Sequence, residues 1–358
     1  MLGRMSLLFS PLTLRATTMP NRVWVSPMCQ YSSVEGHPTD WHLAHLGGLA
    51  RGGSGLVMTE ATAVTPEGRI SPDDAGIWTD AQATDYARIV RLVREQGAVP
   101  AIQLAHAGRK ASTHAPWKGR GYVPPEDGGW QTVGPSPVGF GDWPPPAALT
   151  ATEITAVVAA FAEAAARAVD VGFEVVEVHA AHGYLIHQFL SPLSNQRSDE
   201  YGGSSANRSR LLREVCAAVR AAWPDDKPVF VRLSATDWVE GGWSLPDTVA
   251  VAAELAEIGV DLIDVSSGGL SPAQQITPAP GYQVPFAATV RHEAGVPTSA
   301  VGLITGPAQA EQVLADGAAD AVMLARALLR DPHWPLRAAA ELGEQVPWPP
   351  QYERARWS

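Results

Sequence analysis

From Asn21 onward the chain alternates short β-branched apolar runs with longer Ala- and Leu-rich stretches whose apolar positions recur at helical spacing. The runs predict strands over 22–28, 55–60, 99–104, 174–178, 229–234, 262–266, 298–303 and 321–325. Between them, helical periodicity is clear over 152–171, 208–223 and 246–258, among others. Ser244 before Pro246, and Thr305 before Gly306 and Pro307, are helix-start signals. Eight strand–helix units joined by short connections predict an α/β fold, a closed (β/α)8 TIM barrel. The competing open doubly wound sheet usually carries a glycine-rich G-x-G-x-x-G turn, and the sequence has none.

Two segments stand outside the repeat. Residues 6–20 precede the first strand and are expected to form an N-terminal hairpin closing the barrel floor. Residues 105–150 hold Trp117, Trp130 and Trp143 among scattered Pro and Gly, without periodicity. So long a connection after the third strand is expected to be a lid over the barrel mouth. No internal repeat is visible, and a single domain of 1–358 is expected.

Composition narrows the function. A formal net charge of -11, from 26 basic and 37 acidic residues, argues against nucleic acid and anionic membrane partners. No apolar run reaches membrane-spanning length, and the apolar start is broken by Ser10 and Pro11, so no signal peptide is expected. Two cysteines cannot hold an iron–sulfur cluster. A lone disulfide in a large acidic chain is a poor expectation, so the cytoplasm fits best. Cys216 sits at helical spacing among apolar residues and reads as core.

Chemistry gathers where strands end, since catalytic groups of such barrels stand at the C-terminal rim. The first strand leads into Ser26, Pro27, Met28, Cys29, Gln30 and Tyr31, and the second into Glu60 and Ala61. The third carries Gln103 and then His106, Arg109 and Lys110. The fourth leads into His179, His182 and Tyr184, the fifth holds Arg232, and the last two give Gly302, Ala325 and Arg326. Such a ring suits a planar ligand with polar edges and a phosphate, the phosphate resting on the last two strand ends. A buried Arg232 requires an anionic or acceptor-rich partner. His179 and His182 also suggest a metal pair, for which His187 is the only evident third ligand, and no H-E-x-x-H pattern accompanies them.

The stretch HAAHGY followed by FLSPLSNQRSDEYGG, Asn207 and Arg208 resembles the old yellow enzyme family of FMN-dependent ene-reductases. NRVWVSPMCQYS, EATAV, QLAHAGRKA, VRLSATDW, DVSSGG, VGLIT and ARALLRDP extend the resemblance over essentially the whole chain. Cys29, Tyr31 and the tail QYERARW resemble its thermophilic-like branch. The resemblance implies non-covalent FMN surrounded by Ser26, Pro27, Met28, Cys29, Ala61, Gln103, Arg232, Gly302, Ala325 and Arg326. Gln103 and Arg232 would meet the pyrimidine edge of the flavin, and Cys29 would tune its potential.

The resemblance further implies NADPH or NADH as reductant and an activated alkene, an α,β-unsaturated carbonyl or nitro compound, as acceptor. His179 and His182 would hold the acceptor's oxygen, and Tyr184 would protonate the α-carbon. Tyr31 and Lys110 would also contact substrate. In the resembling branch the C-terminal arginine and aromatic reach a neighbouring subunit's site, implying a homodimer or homotetramer with the tail 345–358 shared. Arg354 and Trp357 match those positions, although one extra residue separates them here and leaves Arg356 as the alternative. Larger relatives with an iron–sulfur cluster do not match in length or cysteine count. A metal-dependent barrel hydrolase and a flavin-binding sensor acting through Cys29 are the remaining alternatives.

Overall fold

The computed structural model describes residues 6–357; the expectation about a leader, which begins on residues 1–5, lies outside them. Eight parallel strands close into a barrel. They are β1 (Val23–Val25), β2 (Leu56–Ala63), β3 (Val99–Ala105), β4 (Val175–Ala180), β5 (Val229–Ser234), β6 (Leu262–Ser266), β7 (Thr298–Ala300) and β8 (Ala321–Leu324). Each strand pairs with its sequence neighbour, and β8 pairs with β1.

The alternation along each strand divides the core in two. Outward residues such as Val176, Val178, Val231, Leu233, Ile263 and Val265 pack against the surrounding helices. Inward residues Trp24, Leu56, Ala101, Val175, Phe230, Leu262 and Ala321 fill the lower barrel. Leu12, Leu14 and Met19 join that cluster from an antiparallel hairpin, Leu12–Leu14 with Thr17–Met19. The hairpin therefore closes the floor, and the barrel opens at one end.

Helices α1 (Asp40–Arg51), α2 (Asp80–Glu95), α3 (Ala151–Asp170), α4 (Leu185–Leu190), α5 (Arg210–Ala222), α6 (Leu245–Ile258), α7 (Val284–Ala294), α8 (Pro307–Ala315), α9 (Arg326–Arg330) and α10 (Trp334–Glu341) accompany the strands. Ser244 caps α6 in a reciprocal capping box with Asp247. Thr305 does not cap α8: Gly306 takes that position, and no side chain caps the helix.

Several strand boundaries differ from the sequence reading, and each difference has a local cause. β1 and β7 are shorter than expected because the chain leaves the ladder at the rim; Gly302 and Leu303 adopt φ of 119° and 53°. β2 is longer and contains a bulge between Met58 and Ala61, which absorbs Thr59 and Glu60. β4 extends beyond Val178, so His179 belongs to the strand and is paired opposite Arg232. The loop after β3 carries little regular structure, with one short parallel pair at Val133–Gly134 and Ala147–Ala148.

Candidate active site

Counting inward by twos from the floor gives the middle layer of the barrel. Val175 leads to Glu177, Phe230 to Arg232, Leu262 to Asp264 and Ala101 to Gln103. The layer above holds His179, Ser234 and Ser266. An apolar floor thus carries a buried polar layer, and the polar layer carries the rim chemistry.

In the polar layer, Arg232 Nε lies 2.8 Å from Asp264 Oδ2, and Arg232 Nη2 donates to Ser26 Oγ at 3.2 Å. Asp264 is the anionic partner that a buried arginine requires. Gln103 Nε2 donates to Glu177 Oε1 at 2.7 Å. Glu177 and Asp264 were not among the residues expected from sequence. Their signal was present, since each is a lone carboxylate inside an apolar run, at the same parity as a rim residue two positions later.

At the mouth, His179 and His182 meet edge to face with ring centroids 5.1 Å apart. Tyr184 meets His179 at 5.0 Å in the same manner. Burial holds both imidazoles well below their ordinary pKa, and the nearby Arg232 charge adds to the effect. His179 Nδ1 accepts from the Ala181 amide at 3.3 Å, which puts its proton on Nε2. His182 stands at φ 59°, strained for a non-glycine residue. Its amide donates to Ser234 Oγ at 2.9 Å, and its Nε2 lies 2.7 Å from Ser266 Oγ. A Cβ on Gly183 would lie 2.2 Å from the Gly269 carbonyl, so only glycine lets this turn approach the loop after β6.

His187 is not available as a third metal ligand. Its Nδ1 accepts from the Gly183 amide at 2.9 Å, and its Nε2 faces Asp237 Oδ1 at 2.8 Å. Tyr184 occupies the N-cap position of α4. Burial and the neighbouring Cys29 and Tyr31 raise its hydroxyl pKa well above the ordinary value, so it carries its proton at any physiological pH. Lys110, expected to contact substrate, is turned onto the rim backbone. Its Nζ donates to the His182 and Gly269 carbonyls at 2.8 and 2.7 Å. Burial lowers its pKa to about 7, with Arg109 adding to the shift.

Cys29, Ala61 and Tyr184 meet in one apolar cluster with Ala105, Ala107 and Ala111. Desolvation, then Asp74 and Glu60, push the Cys29 thiol up, so it is a neutral thiol and not a thiolate. Glu60 organises this corner: its Oε2 accepts from the Gln30 amide and its Oε1 contacts His42 Nε2, each at 2.8 Å. His42 Nδ1 accepts from the Thr39 amide at the start of α1, which fixes the tautomer that donates to Glu60. His42 escaped the sequence reading because its spacing marks only a helix start. Tyr31 adopts φ 48° and lies edge to face with Trp117 of the long loop at 5.6 Å.

On the far side, Gly302, Ala325 and Arg326 line a cavity of about 260 Å³ together with His182, Ser266, Ser267, Tyr282 and Arg330. Ser266, Ser267 and Tyr282 add polar groups not singled out from sequence. A Cβ on Gly302 would meet the Gln283 side chain at 2.8 Å. Two guanidiniums beside hydroxyls and a tight glycine turn fit a phosphate. The buried amide and guanidinium of Gln103 and Arg232 fit a polar ring edge, and the Cys29–Ala61 cluster fits an apolar ring. The residues present therefore suit flavin mononucleotide.

The tail lies elsewhere. Arg354 belongs to the exposed turn Pro350–Ala355, Arg356 pairs with Glu353 at 3.4 Å, and Trp357 packs on Trp348 at 5.2 Å. Within one chain none of the three joins the histidines.

The NADH:flavin oxidoreductase / NADH oxidase family model matches residues 7–345. The chain is 50% identical to an NADPH dehydrogenase of Geobacillus thermodenitrificans over 352 residues, covering 98% of both chains. It is 45% identical to an NADPH dehydrogenase of Bacillus subtilis over 350 residues, 97% of this chain and 98% of that one. Morphinone reductase in complex with tetrahydroNAD superposes with a TM-score of 0.78 at 29% identity, covering 96% of this chain and 93% of that one. An old yellow enzyme homologue from Zymomonas mobilis gives 0.77 at 26% identity, over 98% and 99% of the two chains.

Proposed function

The chain belongs to the NADH:flavin oxidoreductase / NADH oxidase family, and on that premise we propose that it reduces the activated C=C bond of α,β-unsaturated carbonyl or nitro compounds. It is an FMN-dependent oxidoreductase that uses NADPH or NADH. The observation that carries the finer reading is the contact of His179 with both His182 and Tyr184 at the barrel mouth, centroids 5.1 and 5.0 Å apart.

FMN, held by Gln103, Arg232, Gly302, Ala325 and Arg326, would supply hydride-transfer chemistry between the nicotinamide and the alkene's β-carbon. The chain's own residues do the rest. His179 presents Nε2–H, and His182 presents its ring beside it, as neutral donors toward an oxygen that gains negative charge. Neutral imidazoles suit this task, since a cation would bind the oxygen tightly before reaction as well as during it. Tyr184 holds a proton on its hydroxyl and delivers it to the α-carbon. Tyr31, beneath Trp117, closes the opposite side over the substrate. Lys110 supports the site through the His182 carbonyl and not from open solvent. Cys29, as a neutral thiol, adjusts the flavin potential through a weak dipole.

The closed floor leaves one opening, so reductant and acceptor use the same pocket in turn. The exposed tail favours an assembly of at least two copies, with Arg354 or Arg356 and Trp357 offered to a neighbour; Trp357 is 51% exposed. Among the described residues no helix is long and apolar enough to cross a membrane, and with two free cysteines we place the protein in the cytoplasm.

The test is an anaerobic two-step mixing experiment on the FMN-loaded protein. NADPH bleaches the flavin band, and 2-cyclohexen-1-one restores it promptly. Bleaching without recovery removes the alkene reading while leaving the oxidoreductase intact.

A further inference from the structure

Glu177, Arg232 and Asp264 share the polar layer in the middle of the barrel and are 0%, 6% and 0% exposed. Two carboxyl groups thus face one guanidinium away from water. Arg232 gives its close contact to Asp264, 2.8 Å from Nε to Oδ2. Asp264 Oδ1 also accepts from Ser299 Oγ at 2.9 Å. Among the described residues Glu177 receives only the Gln103 amide at Oε1, and its buried Oε2 has no hydrogen-bond partner.

A charged carboxylate with a bare oxygen in a protein interior is costly, and protonation removes the cost. The groups facing Glu177 are Gln103 from β3, Arg232 from β5, Asp264 from β6 and His179 one inward position above it on β4. His179 is neutral. Burial, then Asp264, push Glu177 up to about 8 against the opposing pull of Arg232 and Gln103. Burial raises Asp264 as well, but Arg232 and Ser299 hold it back. The layer's proton therefore belongs to Glu177.

We propose that Glu177 is a neutral carboxylic acid and a positioning residue of the flavin site, fixing the Gln103 amide and leaving Arg232 opposed by a single carboxylate. The inference rests on the reading in which Gln103 and Arg232 meet the flavin's polar edge. A charged Glu177 would offset the cation where reduction brings negative charge, and so lower the flavin potential. A neutral Glu177 keeps the potential up until alkaline pH removes its proton.

Infrared difference spectroscopy and a dye-coupled measurement of the flavin midpoint potential, on FMN-loaded wild type and Glu177→Gln from about pH 6 to 10, test this. A protonated-carboxyl band is expected near pH 7 in the wild type and lost as pH rises through about 8; Glu177→Gln removes one component of it, the buried Asp74 supplying another. The potential of Glu177→Gln should match wild type near pH 7 and fall less steeply above pH 8. A potential raised by the substitution near pH 7 means that the wild-type group was charged and overturns the proposal, as do equal slopes. Should Glu177→Gln not fold, Asp74→Asn decides: burial raises Asp74 to about 8 as well, so a protonated-carboxyl band that survives its removal belongs to the barrel layer, and its loss with Asp74 overturns the proposal. Failure of the protein to bind FMN at all would sink the flavin reading and the positioning role with it, while the difference band between wild type and Glu177→Gln still reports whether Glu177 holds a proton.

Discussion

Lys110 donates from Nζ to the carbonyl oxygen of His182 at 2.8 Å, joining the loop after β3 to a residue held at φ 59°. The same amine reaches the Gly269 carbonyl at 2.7 Å, so three rim loops meet at one side chain. Lys110→Met keeps the apolar stem but leaves both carbonyls without their donor. A loss of about 1–3 kcal/mol is expected for such orphaned acceptors. Urea unfolding would measure it as a lowered midpoint with unchanged slope, and an unchanged midpoint would mean that water replaces the amine.

Tyr184→Phe removes the proposed proton donor while keeping the ring against His179. Flavin reoxidation by an enone should slow by roughly 10²–10⁴-fold, the usual contribution of a general acid, while reduction by NADPH stays at the wild-type rate. Stopped-flow traces separate the two half-reactions, and unchanged reoxidation would take the proton-donor role from Tyr184.

Replacing both His179 and His182 by Ala removes the two proposed donors to the acceptor's oxygen. A phenolate imitates that oxygen, and hydrogen bonds to a charged group contribute about 1.5–3 kcal/mol each, so phenol binding should weaken by about 100-fold or more. Spectral titration of the FMN-loaded variant gives the constant. Undiminished affinity would assign the histidines another task.

Acid should destabilise the fold above the ordinary carboxylate range. Burial lowers His45 to about 4, with His42 adding to the shift, and lowers His106 to about 4 against the pull of Glu67. Both folded values lie below the unfolded value, about 6.5. The unfolded chain therefore binds more protons between about pH 6.5 and 4, and stability present above 6.5 drains away as pH falls through that window. His45→Gln should flatten the slope of unfolding free energy against pH there. An equal slope in variant and wild type would mean that His45 titrates normally in the folded state.

The barrel was legible because its longer strands, such as Val175–Ala180, Val229–Ser234 and Leu262–Ser266, hold apolar β-branched runs, and the rim residues follow those runs directly. What stayed hidden depends on parity and on partners far apart in sequence. Glu177 and His179 share a face because they are two apart, yet that face is known to point inward only once Val175 is seen on the floor. Asp264 as partner of Arg232, and His42 as partner of Glu60, require strands and helices to be assembled before the pairs exist. The placement of His179 after its strand failed for a related reason, since strand pairing with β5 continues past the apolar run.

Arg197, inside the stretch that carries the family resemblance, donates from Nη1 to the carbonyls of Pro135 and Leu149 at 3.0 and 2.6 Å. These two residues bracket the second half of the long loop, and Leu149 also donates from its amide to the Gly134 carbonyl at 2.9 Å. Residues 136–148 are thus tied at the neck like a drawstring bag, with their ends anchored whatever lies between. Inside the bag, Arg109 Nη1 also donates to the Val138 and Gly139 carbonyls at 3.0 and 3.1 Å, so changes confined to residues 141–146 leave both the neck and that tie in place. Evolution can therefore retailor the entrance while the chemistry beneath it is inherited intact.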